Sequence, residues 1–145
     1  MREILFRGKC VDTGVWYEGY YIQLHKTTHC CLGCPDPDND IHQIVFERMT
    51  DWELPNQHYR VDVDPETVGQ FTGLTDKNGK NIFEWDIVRC IRTFCDGKEM
   101  IGHIIYKDCC FCVKEKKDIN QPAMDLCSDF EVIGNIHDNP ELLEG

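Results

Sequence analysis

The sequence lacks the short motifs on which several classes of enzyme depend. Its only serine, Ser128, is not enclosed in a G-x-S-x-G motif. It contains neither a phosphate-binding P-loop nor the G-x-G-x-x-G segment of dinucleotide-binding folds. Six histidines and ten cysteines make chance Cys–His pairs plentiful, so such pairs alone indicate no nucleophile. We therefore predict that the protein has no catalytic residues, is not an enzyme and holds no cofactor.

Long apolar segments are also missing. No run approaches the ~20 residues that a membrane-spanning helix needs. The first residues, MREILFRGKC, are charged from the start and lack the apolar stretch and small-residue cleavage site of a signal peptide. We expect a protein that does not associate with membranes and that stays in the cytoplasm.

Basic residues are in short supply. The chain has 15 Lys and Arg against 26 Asp and Glu, a formal net charge of −11. Binding to nucleic acid depends largely on neutralising phosphates, so this charge disfavours a nucleic-acid partner. The one basic cluster, Lys114–Lys117, contains Glu115 and is more typical of a solvated loop.

Cysteine, in contrast, is abundant and clustered. Because nothing indicates export, we expect reduced thiols rather than a disulfide framework. Cys31 and Cys34 form a C-x-x-C pair like a zinc knuckle, and Cys109 and Cys112 repeat that spacing. These four thiols are the candidate zinc ligands. Short Cys spacings arise readily by chance, however, and the preferred interpretation is that no metal is bound.

Three acidic residues alternate at Asp62, Asp64 and Glu66. In a continuous strand they would share one side, where carboxylates could bind a divalent cation. The alternative is a charged solvent face on an edge strand, which Pro65 favours.

The remaining pattern is that of short strands between turns. The runs Ile4–Lys9 and Val15–Ile22 flank Asp12-Thr13-Gly14 and predict a hairpin, and Asp76–Gly79 predicts another tight turn. No long segment carries the apolar stripe of a helix. We predict a mainly β protein with few short helices, whose interior is formed by five apolar side chains: Phe83, Ile87, Val88, Ile104 and Ile133.

The first hairpin is also rich in aromatic residues. Alternation places Trp16 and Tyr20 on one face and Tyr17 and Tyr21 on the other. One face must be core, and the other could expose rings that anchor a partner. The alternative is a strand buried on both sides.

Three segments together resemble the YopX family of bacteriophage and prophage proteins. They are REILFRGK with VWYEGYYI, then VDPETVGQFTGLTDKNGKNIFEWDIVR, and finally EVIGNIHDNPELLE. The likeness spans most of the chain. One departure is Trp85, because family members usually have Gly at this place. Trp85 must therefore accept a strained backbone with positive φ or adopt ordinary β geometry.

The resemblance implies a mostly β fold with an SH3-like small barrel in the C-terminal part. We expect one domain over residues 1–145, with a soft internal boundary near Asp64 that separates an N-terminal β-rich lobe (1–63) from the barrel-like part (64–145). The resemblance implies no activity, substrate or catalytic residue.

The preferred hypothesis for function is a phage-type accessory protein in a bacterial host cell. It would act without catalysis, by binding a protein partner or by self-assembly. The alternative is a small nucleic-acid-associated module, which the net charge opposes. A zinc-stabilised or enzymatic protein is the third hypothesis.

Overall fold

The computed structural model describes residues 3–26, 40–93, 97–115 and 121–144. By its contacts the chain divides into two compact units, Ile4–Val68 and a second made of Met1–Glu3 and Gly69–Gly145. Strands dominate both units, so the predicted mainly β class is confirmed. The single domain with a boundary near Asp64 stays a prediction.

The first unit is an antiparallel meander. Its strands are β1 (Phe6–Lys9), β2 (Trp16–His25), β3 (Asp40–Arg48) and β4 (Gln57–Asp62), followed by a 3-10 helix at Pro65–Thr67. They lie in the order β4-β3-β2-β1. Gly14 has φ 68°, as the tight turn between β1 and β2 requires, and the predicted hairpin is confirmed.

The second unit contains a hairpin and a four-stranded sheet. The hairpin joins β5 (Gly69–Thr75) to β6 (Asn81–Phe83), and the remaining elements are β7 (Asp86–Arg92), β8 (Glu99–Lys107), β9 (Cys110–Lys114), a 3-10 helix at Met124–Leu126, β10 (Cys127–Asn135) and a 3-10 helix at Pro140–Leu143. The antiparallel sheet has the order β10-β7-β8-β9.

Strand β7 is buried on both sides, because its neighbouring residues Ile87 and Val88 point to opposite faces of the sheet and neither is exposed. Phe83, Ile87, Val88 and Ile104 are all 0% exposed, whereas Ile133 is only half-buried. Four of the five predicted interior side chains are therefore confirmed as interior. Ile133 differs from them in lying where the β10–β7 register shifts, between Val132 and Gly134, so that it has no paired residue on β7.

The predicted closed SH3-like barrel is not confirmed. Among the described residues, β9 and β10 form opposite edges of the sheet and do not pair with each other. The 3-10 helix Met124–Leu126 contacts both of these strands instead. Closing a barrel requires a continuous ladder of backbone hydrogen bonds, and a helix in this place cannot continue that ladder.

A buried carboxylate fixes the β5–β6 turn. Asp76 is 6% exposed and accepts hydrogen bonds from the backbone N–H groups of Asn78 at 2.8 Å, Lys80 at 2.9 Å and Val132 at 3.1 Å. Burial opposes ionisation of Asp76, but these three bonds outweigh it and hold the pKa of the carboxyl below its usual value. One side chain thus shapes the turn and ties it to β10.

Trp85 adopts the strained alternative. Its φ is 69°, a left-handed conformation that costs a residue with a Cβ atom ~1–2 kcal/mol. Its backbone N–H donates to the Ile104 carbonyl at 2.9 Å, and its own carbonyl accepts from Ile136 at 3.0 Å. The buried Asp86 carboxylate accepts from the Phe83 N–H at 2.9 Å and closes the turn around Trp85. The surrounding hydrogen bonds therefore impose the conformation of this residue.

Candidate protein-contact surface

The aromatic residues of β2 divide between the two faces of the first unit's sheet. Because successive side chains of a strand point to opposite sides, Trp16 and Tyr20 share one face while Tyr17 and Tyr21 share the other. Trp16 is half-buried, and the Arg7 guanidinium carbon lies 4.8 Å from its ring centroid. Tyr20 is 60% exposed. Of the four candidates, only Tyr20 is well exposed to solvent, and a role of any of them in binding stays a prediction.

A row of stacked rings crosses the opposite face. Tyr17 on β2 stacks on Phe46 of β3 with centroids 5.2 Å apart, and Phe46 stacks on Tyr59 of β4 at 5.7 Å. The Arg48 guanidinium lies 5.1 Å from the Tyr59 centroid and 5.6 Å from that of Phe46. These four side chains, here called the aromatic row, combine cation–π and stacking contacts across three strands.

The two most exposed large apolar side chains of the described residues, Met49 and Trp52, lie with Leu54 in the loop that joins β3 to β4. Met49 is 89% exposed, Trp52 is 94% exposed and Leu54 is 59% exposed. These three residues are here called the apolar loop patch. Tryptophan and methionine are enriched in the contact regions of protein interfaces. Exposing several apolar side chains to water on one short loop is unfavourable in free energy. No periodic pattern in the sequence indicates this patch.

The loop that carries the patch is held by its own hydrogen bonds. The Leu54 N–H donates to the Asp51 carbonyl at 3.0 Å, and the Thr50 hydroxyl donates to the Pro55 carbonyl at 3.0 Å. Glu53, at the third place of the turn, has φ 66°. A positive φ here is the signature of a type II turn and usually selects Gly or Asn. The backbone thus presents Trp52 outward from a defined turn.

A polar cluster lies at the other end of the β2–β3 hairpin. The Asp40 carboxylate accepts from Gln23 Nε2 at 2.5 Å and lies 2.5 Å from His25 Nδ1. Hydrogen bonds from Gln23 and His25 lower the pKa of Asp40. Tyr21 Oη lies 2.5 Å from His42 Nδ1, and burial raises the pKa of this phenol. Each of these contacts joins a side chain of β2 to one of β3.

Asp40 and His42 of this cluster line a pocket together with Lys26. The hydrogen bonds of the cluster pair β2 with β3, which fits a structural role. That the protein has no catalytic residues stays a prediction.

The acidic residues 62, 64 and 66 do not share one side of a strand. β4 ends at Asp62, whose Oδ1 accepts from Gln43 at 2.7 Å. Asp64 instead caps the 3-10 helix and accepts from the Glu66 N–H at 3.0 Å. Pro65 starts that helix and breaks the extended alternation that a shared side requires. Within the described ranges, no group of three or more His, Cys, Asp or Glu is placed to hold a metal ion.

The zinc candidates separate into two sets. Cys31 and Cys34 lie outside the described residues. Cys109 occupies the two-residue turn between β8 and β9, with φ 66°, while Cys112 is buried on β9. The thiol that contacts Cys112 is Cys110, with a sulfur–sulfur distance of 3.5 Å. The single residue between Cys110 and Cys112 predicts that both thiols lie on one face of a strand, and the structure confirms this placement.

The comparisons with known proteins agree with the sequence motifs. A family model described as YopX protein matches residues 5–144. The chain belongs to the YopX family. The resemblance drawn from the three sequence segments is therefore confirmed. No curated protein matches the sequence.

Two solved structures resemble this YopX-family chain over nearly its full length. The YopX protein of Bacillus subtilis is 15% identical, with a TM-score of 0.51, and the match covers 100% of this chain and 98% of that chain. A protein of Enterococcus faecalis is 23% identical, with a TM-score of 0.47 and coverage of 99% of both chains. At such identity the Bacillus likeness supports the fold alone. Within the part of the chain that is described, no helix is long and apolar enough to span a membrane.

Proposed function

We propose that this YopX-family chain is a non-catalytic accessory protein of the kind carried by bacteriophages and prophages. It acts in the bacterial cytoplasm by binding a protein partner or another copy of itself. The apolar loop patch carries this proposal. Met49, Trp52 and Leu54 are exposed to solvent, and a group of exposed apolar side chains often marks a site of protein contact.

The neighbouring strand supports a protein partner. β4 is an edge of the first unit's sheet, and five of its six residues, all but Val61, have exposed side chains. An edge strand offers backbone N–H and C=O groups to an extended segment of another chain. The patch lies in the loop that leads directly into this edge. The apolar loop patch, as the anchor, is thus followed directly in the chain by β4, whose backbone can hydrogen-bond to a partner.

Replacing Trp52 by Ser tests the proposal, with Val11→Ser as the matched control. Val11 is 57% exposed and lies in the other hairpin turn of the same unit. Light scattering over a range of concentrations measures self-association, and affinity capture from the host cell measures partner binding. We expect Trp52→Ser to weaken the interaction by about 30-fold or more, because a buried Trp anchor contributes at least ~2 kcal/mol. Equal behaviour of the two variants would contradict the assigned surface.

A second candidate function, binding of single-stranded nucleic acid, is supported by the aromatic row. Stacked rings beside an arginine are the platform on which bases stack without sequence preference. The net charge of −11 opposes this function. Titration of a fluorescent oligonucleotide at two salt concentrations tests it. Salt-sensitive binding that Tyr59→Ala abolishes would favour this function over the first.

A further inference from the structure

We propose that Cys110 and Cys112 form an oxidisable dithiol, a site of thiol–disulfide exchange with small-molecule disulfides. Their sulfur atoms lie 3.5 Å apart, in van der Waals contact, on the same face of β9. The proposal does not depend on the function proposed above.

The two thiols differ in their exposure to solvent. Cys110 is exposed, and its thiol donates to the Lys107 carbonyl at 3.4 Å. Cys112 is 5% exposed. Burial raises the pKa of Cys112 to about 11, and the neighbouring Cys110 adds to this effect. An exposed sulfur beside a buried one is the arrangement of an attacking thiol and a resolving thiol.

The exchange proceeds in two balanced steps. The Cys110 thiolate attacks one sulfur of a disulfide such as oxidised glutathione, forms a mixed disulfide and releases one thiolate. Cys112 then loses its proton to solvent, and its sulfur attacks the Cys110 sulfur and expels the second thiolate. The protein loses two electrons and two protons, and the small molecule is reduced to two thiols.

Strand geometry makes the product strained. Residues two apart on a strand are separated by about 6.6–6.8 Å between Cα atoms, at the upper end of the range that disulfides bridge. Closing the bond must therefore shorten β9 locally. The strand can yield because it is an edge, joined by a ladder to β8 and by a single bridge, Cys112–Ala123, on its other side. A strained disulfide is easily reduced, so the oxidation is reversible.

Three of the four other described cysteines provide internal controls within the second unit. Cys109 is exposed but sits in the turn, and Cys90 and Cys127 are buried in the core of the second unit. The hydrogen bond that the Cys90 thiol donates to Cys127, together with burial, raises the pKa of Cys90 well above its usual value. Neither core thiol is accessible to a disulfide reagent in the folded protein.

Treatment of the reduced protein with oxidised glutathione tests the proposal. After alkylation and tryptic digestion, the peptide Asp108–Lys114 carries Cys109, Cys110 and Cys112 together. In the Cys109→Ser variant, mass spectrometry should find this peptide lighter by two hydrogen atoms and without glutathione. Adding Cys112→Ser should leave glutathione on Cys110. Adding Cys110→Ser, an exposed substitution that leaves the fold intact, should leave Cys112 unmodified.

Three results would overturn the proposal. One is a glutathione adduct that persists on Cys110 while Cys112 stays reduced. Another is a disulfide that joins Cys110 or Cys112 to any other peptide. The third is an oxidised peptide that resists mild dithiothreitol as strongly as an unstrained disulfide does.

Discussion

The two units of this protein differ in how far some of their large apolar side chains are buried. The second unit buries Phe83, Ile87 and Ile104 completely, whereas the first leaves Trp52 and Met49 almost wholly in solvent. The segment that carries the clearest family motif belongs mainly to the second unit and supplies its turns and interior. The family motif thus lies mainly in the unit with the fully buried rings, and the proposed contact surface, the β3–β4 loop, lies in the other.

The largest loss of stability should follow from removing a fully buried aromatic ring. Replacing Phe83 by Ala removes a ring that is 0% exposed and lies 5.5 Å from Phe71. We expect a loss of about 3–5 kcal/mol in the free energy of unfolding, measured by urea denaturation. A loss below 1 kcal/mol would show that this ring is not part of a packed interior.

Replacing Asp76 by Asn should cost about 1–3 kcal/mol, because the amide nitrogen cannot accept a hydrogen bond and one backbone N–H is left unpaired. Since the pKa of Asp76 is lower in the folded protein, its charge stabilises the fold above the unfolded pKa. That contribution disappears as the pH falls through the range below about 4. Urea denaturation from about pH 5 to pH 3 should therefore show a steeper loss in the wild type than in Asp76→Asn. Parallel curves would contradict the role of this carboxylate.

Two substitutions of Trp85 distinguish the effect of backbone strain from the effect of side-chain packing. Both Trp85→Ala and Trp85→Gly remove the indole, which makes an edge contact with His137 at 6.3 Å between centroids. Only Gly relieves the positive φ, so Trp85→Gly should be more stable than Trp85→Ala by about 1 kcal/mol. Thermal unfolding of the two variants measures the difference. Equal stability would mean that the turn opens when the indole is lost.

The smallest effect on stability should come from the exposed loop. Trp52→Ser should change the free energy of unfolding by no more than about 0.5 kcal/mol, because the side chain has little to lose on unfolding. Denaturation in urea provides the value, and Phe83→Ala provides the contrast. A loss above 1 kcal/mol would place Trp52 in a packed environment and remove the distinction between the units.

Much of the fold follows from local turn chemistry. Gly14 and the segment Asp76–Gly79 mark turns whose positive φ angles and Asp hydrogen bonds are encoded in a few adjacent residues. The interior side chains follow from apolar runs beside those turns. Barrel closure could not be predicted in this way, because strand pairing at a sheet edge depends on residues distant in sequence.

The candidate surface was harder to predict. The pattern of the segment Met49–Asn56 is ambiguous and allows one helical turn before Pro55, so it does not indicate which side chains are exposed. The aromatic run on β2 instead predicted a face with exposed rings, and of its four candidate residues only Tyr20 is well exposed. For Trp85 the sequence left two backbone geometries open, since the hydrogen bonds that decide between them come from Ile104 and Ile136.

Site-specific photo-crosslinking tests the central claim most directly. A benzophenone amino acid placed at position 52, and in a second preparation at position 11, reports which exposed turn touches another protein inside the producing cell. We predict crosslinks to one defined protein, or to a second copy of this chain, at position 52 and a clear deficit at position 11. Crosslinking that is absent at position 52, or equal at both positions, would contradict the assignment of the β3–β4 loop as the contact surface.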